Sequence, residues 1–309
     1  MLKVGLLTVW LIGLMPFLAH GYTGVTVVMQ EQTDVNKIFV AELRDLLSRQ
    51  HGNTLRVSEQ VLKPRTKLVV AENSELVIAI GEQAFETAAK LSYTTPVLGV
   101  QVSLPTLESV QRKSRRNASN ISAITLYQPN TRILALVENV LPQAKRLGML
   151  VGQNTVFEAE QLKLSAQKRK LHVEFSQVNF QADLMSKLET VLQNTDALLA
   201  YPDAEIFNRE TAQPIFLTSY RNKKPVLVCT QSIVKAGALA AVFSDSKHLA
   251  KQAAEIAMHS QSASALLPSP QTPKYFSVSV NKQVARLLNI KVVDEALLYK
   301  MILAVETAS

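Results

Sequence analysis

The chain has 309 residues, 47% of them apolar, 19% charged and 6% aromatic, and its 33 basic and 25 acidic side chains leave a net charge of +8. That composition excludes a disordered or fibrous protein and supplies apolar mass for two domains or one large one. A single cysteine, Cys229, excludes an internal disulfide and any multi-cysteine zinc site.

In chain order, Lys3 precedes an apolar run from Val4 to Leu18, broken mainly by Thr8, Gly13 and Pro16, and then the small-residue stretch Ala19-His20-Gly21. A positive start, a short apolar centre and small residues at its end form a secretory signal, and the run is too short for a membrane anchor. Residues 1–21 therefore read as a signal peptide, and the mature chain is expected in the periplasm from about Gly21 or Tyr22.

The next segments repeat one unit. Val25 to Met29 is a β-branched run, followed by a helix with Val35, Ile38, Phe39, Leu43, Leu46 and Leu47 on one face. Leu76–Ile80 predicts a strand, 83–91 a helix and 96–100 a strand. Past a polar segment from Gln111 to Asn120 the pattern restarts. Strands are predicted at 121–126, 147–151, 173–177, 197–200, 226–229 and 238–243, with helices at 131–141, 156–171, 182–193, 207–220 and 247–259. Continuous apolar strands belong to parallel sheets covered by helices on both faces. Two such sets imply an α/β fold of two doubly wound, Rossmann-like lobes around a cleft. Residues 261–274 hold Pro268, Pro270 and Pro273 and read as a linker. A strand from Tyr275 to Val280 and a helix capped by Asn281 follow it.

The positive charge suggests nucleic acid, but its distribution argues otherwise. Lys168-Arg169-Lys170 and Arg221 to Lys224 end predicted helices, where cations meet the negative end of the dipole. Arg112 to Arg116 lies in the polar segment, and no aromatic residue alternates with any group to stack on bases. No nucleic-acid partner is expected.

Motifs for chemistry are missing. No G-x-G-x-x-G, G-x-x-x-x-G-K-[ST] or G-x-S-x-G is present, and His20, His51, His172, His248 and His259 show no metal-ligand spacing. Neither an enzyme nor a metal or other cofactor is expected, and Cys229 reads as core or cleft-wall packing. In open α/β sheets ligands bind at the carboxyl ends of the strands. Those ends carry Gln30-Glu31-Gln32, Gly81-Glu82-Gln83, Gln101-Val102-Ser103, Gly152-Gln153-Asn154, Tyr201-Pro202-Asp203 and Thr230-Gln231-Ser232. Mostly neutral amides and hydroxyls suit reversible binding of a small polar solute, although each is also an ordinary loop or cap residue.

Five stretches carry a family resemblance: Glu75-Leu-Val-Ile-Ala-Ile-Gly-Glu-Gln-Ala84, Val140-Leu-Pro-Gln-Ala-Lys-Arg-Leu-Gly-Met-Leu150, Thr195-Asp-Ala-Leu-Leu-Ala-Tyr-Pro-Asp203, Lys224 to Ala240 and Val280 to Ile290. In order and separation they are similar to the extracytoplasmic solute-binding proteins of ABC transporters with a type I periplasmic-binding fold, the branch with predicted tryptophan- or tyrosine-type substrates. The resemblance implies two lobes joined by crossovers at a hinge. Residues 22–122 and 244–274 would form lobe 1, and 123–243 and 275–309 lobe 2. The strand ends together with the resemblance give a candidate ligand-binding set of Gln32, Glu82, Gln83, Ser103, Gln153, Tyr201, Asp203, Thr230, Gln231 and Asp245; of these Ser103, Asp203 and Asp245 keep the family's residue types, and Asp203 is best placed for a ligand amine. Glu82 stands where the family has a small hydroxyl residue and would repel a ligand carboxylate. Leu104, Gly152 and Gln153 also depart from the family's pattern. The implied function is a receptor that closes on a small, amino-acid-like or other polar solute and docks on a membrane permease. The alternative is a periplasmic sensor or interaction module with a weakened or altered ligand site.

Overall fold

The computed structural model describes residues 24–51, 55–63, 69–71, 74–91, 95–114, 120–259 and 266–307. The expected signal peptide lies outside them. Two sheets organise the chain. The first, all parallel, has the order β2-β1-β3-β4-β5 and comprises β1 (Gly24–Met29), β2 (Arg56–Val61), β3 (Leu76–Ile80), β4 (Val97–Val102) and β5 (Ile121–Thr125). The second has the order β11-β10-β9-β8-β6-β7, from β6 (Arg146–Val151), β7 (His172–Gln177), β8 (Ala197–Ala200), β9 (Val226–Val228), β10 (Ala240–Phe243) and β11 (Ser277–Val280). Only β11 runs antiparallel, against β10. The two-lobed α/β fold read from the apolar runs is the fold observed.

Helices cover both faces of each sheet. On the first, α1 (Asp34–His51) and α9 (Ser246–His259) bury one face with Phe39, Leu43, Leu47, Leu249 and Ala253, while α2 (Glu82–Leu91) and α3 (Leu104–Lys113) bury the other with Phe85, Ala88 and Leu107. On the second, α4 (Asn130–Val140), α5 (Val156–Gln167), α10 (Lys282–Leu287) and α11 (Glu295–Thr307) cover one face. Helices α6 (Leu184–Asn194), α7 (Ala212–Arg221) and α8 (Gln231–Ala236) cover the other. Strands β1, β3 and β5 are buried along their whole length and β4 at every residue but Gln101, which is why their sequences carry no alternation. Two of the expected helix contacts fail: Val35 and Ile38 are 57% and 47% exposed, because the first turn of α1 begins at the sheet's carboxyl edge and overhangs the core.

Elements absent from the sequence reading have physical explanations. β2 is an edge strand with no fully buried residue, and α3 contains Pro105 and buries only Leu107 and Val110. The polar segment begins inside that helix, whose last turn holds Arg112 and Lys113. Helix α7 starts at Ala212, not near 207, because Asn208 and Thr211 fold the preceding residues into a hydrogen-bonded loop. The Asn281 cap is present, its side chain accepting from the backbone N–H groups of Gln283 and Val284.

The chain passes between the sheets three times: after β5, between β10 and α9, and before β11. Because β5 pairs with β4 through Thr125, the first sheet extends beyond Ser122, and the first passage lies at 126–129. One buried side chain gathers these passages. Arg132, 3% exposed, donates to Gln128 Oε1 (2.6 Å) in the first and to the Pro273 and Lys274 carbonyls (2.9 and 3.3 Å) in the third. It also forms a two-point pair with Glu306 of α11 and lies 4.2 Å from the Phe276 ring centroid. Gln128 Nε2 in turn donates to Ser244 Oγ (2.9 Å) in the second passage, and that hydroxyl donates to the Tyr275 carbonyl (2.5 Å).

Candidate functional site

Each sheet has one place where successive connections diverge to opposite sides, and there the ends of two neighbouring strands leave a crevice. In the first sheet it lies between β1 and β3, paired in register through Met29 and Ile80. Gln32 and the Gly81-Glu82-Gln83 turn follow those strands. In the second it lies between β6 and β8, ahead of Gly152, Gln153, Tyr201 and Asp203. Both crevices therefore carry residues of the predicted set.

In the first crevice, Gly81 adopts φ +85°, a left-handed conformation that glycine enters without strain, and turns β3 directly into α2. This places Glu82 at the start of α2, where its Oε1 accepts the Ser103 backbone N–H (3.1 Å). Ser103 is buried and caps α3 through its hydroxyl, which accepts from Thr106 N (3.4 Å). Gln32 and Gln83 are exposed.

In the second crevice, Asp203 is the organising group. Its Oδ2 accepts from Gly152 N (2.9 Å) and the Thr155 hydroxyl (2.6 Å), and its Oδ1 from Glu205 N (2.9 Å). The carboxylate thus fastens the β6–α5 loop to the β8–α7 loop. The glycine at 152 is required by this approach, since a Cβ there would lie 2.6 Å from Glu205 Oε2 and 2.8 Å from Asp203 Oδ2. Thr155, with its hydroxyl given to Asp203, makes no side-chain cap for α5.

Beside this loop pair stand two groups that the loop-end reading missed. Glu158, in the first turn of α5, is 6% exposed, and no other described residue gives either carboxylate oxygen a hydrogen bond. Burial pushes its pKa up to about 7, opposed in part by its own backbone N–H and reinforced by the charge of Glu82 from the other lobe. Tyr127, in the first passage, stacks obliquely on Tyr201 with ring centroids 5.5 Å apart. Its phenol is held well above its ordinary pKa by burial and by the charges of Glu158, Glu82 and Asp203. Tyr201, 2% exposed, donates to Asn130 Oδ1 (3.2 Å). A sequence signal for Glu158 exists: it shares the buried face of α5 with Leu162 and Ala166, at intervals of four, where an acid is out of place.

The remaining predicted residues are less closely grouped. Thr230 precedes α8, with a buried hydroxyl that has no partner among the described residues, and Gln231 is exposed. Gln153 faces a surface concavity with Val178, Phe180 and Glu205. Asp245 is exposed and pairs with His248 (3.3 Å) at the start of α9. Cys229 packs on the core, and burial pushes its thiol up to about 12, so it is protonated at neutral pH and is no activated nucleophile. Glu82, Ser103, Tyr201 and Asp203 are thus the predicted residues that converge, around Tyr127 and Glu158.

Comparisons with known proteins agree with this architecture. A tyrosine-binding protein of Clostridioides difficile (strain R20291) is 22% identical over 193 residues, covering 61% of this chain and 55% of its own, so the match spans about half of that relative's length. Among solved structures, a Streptococcus pneumonia ABC domain in complex with L-Trp matches with a TM-score of 0.64 and 18% identity, over 90% of this chain and 98% of its own. A ligand-free, open substrate-binding protein with adhesive properties from Clostridium difficile matches with a TM-score of 0.68 and 17% identity, over 88% and 96%. At these identities the structures establish the fold. The family described as ABC transporter substrate binding protein matches residues 43–302, most of the chain. The protein therefore belongs to the ABC transporter substrate-binding protein family.

Proposed function

We propose that this chain is the extracytoplasmic receptor of an ABC-type uptake system, which takes a small polar solute between its lobes and closes on it about the three passages. The observation that supports this reading is that the charges of Glu82 from lobe 1 and Glu158 from lobe 2 both bear on Tyr127, which lies in the passage between the lobes. A solute seated there touches both lobes at once, so its binding energy favours the closed arrangement. The related proteins, one that binds tyrosine and one in complex with L-Trp, support a ligand of that size. The amino-terminal signal expected from the sequence supports a periplasmic location and a permease as the membrane partner. We assign ligand contact to Glu82, Tyr127 and Glu158, while Tyr201 backs the Tyr127 ring and Ser103 and Asp203 hold the loops that present them.

A thermal-shift screen of the purified protein against amino acids, amines, peptides, sugars and purines tests the reading. A ligand at 100 times its dissociation constant is expected to stabilise the fold by about 2.7 kcal/mol, read as a raised melting temperature. If no class shifts it, the receptor reading fails, and the fold serves as an interaction module for an envelope partner.

A further inference from the structure

We propose that the solute carries an organic cation, an ammonium group without a neighbouring carboxylate, and that Glu158 is the residue that meets it. The inference rests on the receptor reading above and names its ligand class.

Three observations lead to it. First, the acids around the cleft are unequal. Asp203 already accepts three hydrogen bonds and Glu82 accepts the Ser103 N–H, but Glu158 has both oxygens unclaimed by any other described residue at 6% exposure. Buried carboxylates are ordinarily paired, so an unpaired one lacks a partner that something else must supply. Second, the charges that bear on Tyr127 from α2, α5 and the β8–α7 loop are Glu82, Glu158 and Asp203, all acidic. A ligand carboxylate entering this field would be repelled, whereas an ammonium group is attracted by each of the three. Third, the half-buried Tyr127, backed by the buried ring of Tyr201, offers an aromatic face on which the charge of Glu158 bears, a surface that suits an alkylammonium or the ring of an aromatic amine. A bare metal ion is a poorer fit, since among the described residues no three acidic, histidine or cysteine side chains come close enough together to hold one.

Isothermal titration calorimetry at pH 7.5 on the purified chain tests the proposal, with tyramine, tryptamine, L-tyrosine and L-tryptophan as probes. Each amine is the corresponding amino acid without its carboxylate, so the pairs isolate that group. The expected result is that at least one amine binds at least tenfold more tightly than its amino acid, and that Glu158→Gln weakens that amine at least tenfold. A melting curve accompanies the variant; an unchanged or raised melting temperature shows that the loss is not a folding defect. Glu158→Asp, which keeps the charge, is expected to recover part of the affinity. The proposal is overturned if the amino acids bind as tightly as the amines, if Glu158→Gln leaves amine affinity unchanged, or if only an uncharged solute from the wider screen binds. Those results leave the receptor reading intact, whereas binding by no solute class removes both.

Discussion

Glu158, in the first turn of α5, and Asp203, in the loop after β8, stand in the second lobe in opposite chemical situations. One is buried without a partner and the other is half-buried with three. The folded state holds a proton on Glu158 up to about pH 7, against 4.5 for the free side chain. The contribution of this group to stability is therefore full below pH 4.5, falls as pH rises towards 7, and is lost above it. Urea unfolding of the ligand-free protein is expected to show that decline, and Glu158→Gln to flatten it, with a gain at pH 8 of up to about 3 kcal/mol. A variant no more stable than the parent at pH 8 would mean that water or a neighbour satisfies the carboxylate. Asp203→Asn acts in the other direction. An amide cannot accept from Gly152, Thr155 and Glu205 together, and a loss of about 1–3 kcal/mol is expected by chemical denaturation, since one donor is left facing another. The family resemblance suggested Asp203 for a ligand amine; the sequence could not show that the loop beyond β6 approaches closely enough to take up its Oδ2.

At the scale of elements, α4 and α11 are joined by the buried Arg132–Glu306 pair. Removing one member leaves the other charge desolvated, so Arg132→Met is expected to cost about 3–5 kcal/mol, and Arg132→Met with Glu306→Leu considerably less than the sum of the two single changes. A double-mutant cycle in urea measures the difference; additive losses would show that the two groups do not depend on one another. Further along α11, Leu298 and Ile302 are fully buried, and Leu298→Ala is expected to cost about 2–5 kcal/mol in the same assay. Elements were legible wherever burial on both faces left a continuous apolar run, as in β3 and β8. They were illegible where burial was partial or the element short, as in β2 at a sheet edge and α8 with six residues. Local pattern registers how much of an element is buried, and an element that buries little leaves little pattern.

For the whole molecule, the receptor reading has the two lobes bend about the line through the three passages that link them, a motion that stretches none of the three. Solute saturation is accordingly expected to reduce the radius of gyration measured by small-angle X-ray scattering, and an unchanged value at saturation would count against closure. The two lobes were legible in the two runs of α/β units. The chemistry of the proposed site was only partly so, because Glu82, Tyr127, Glu158 and Tyr201 lie far apart in the chain and bear on one another only in three dimensions. Tyr127 and Gln128 are consecutive residues. One side chain lies among the cleft's acids, and the other is bonded to Arg132 and Ser244. Detector and joint are thus separated by a single peptide unit, about 3.8 Å of chain. On the receptor reading, a solute that displaces Tyr127 would work a crank fixed to the pivot itself, and the message that the site is filled would have almost no distance to travel.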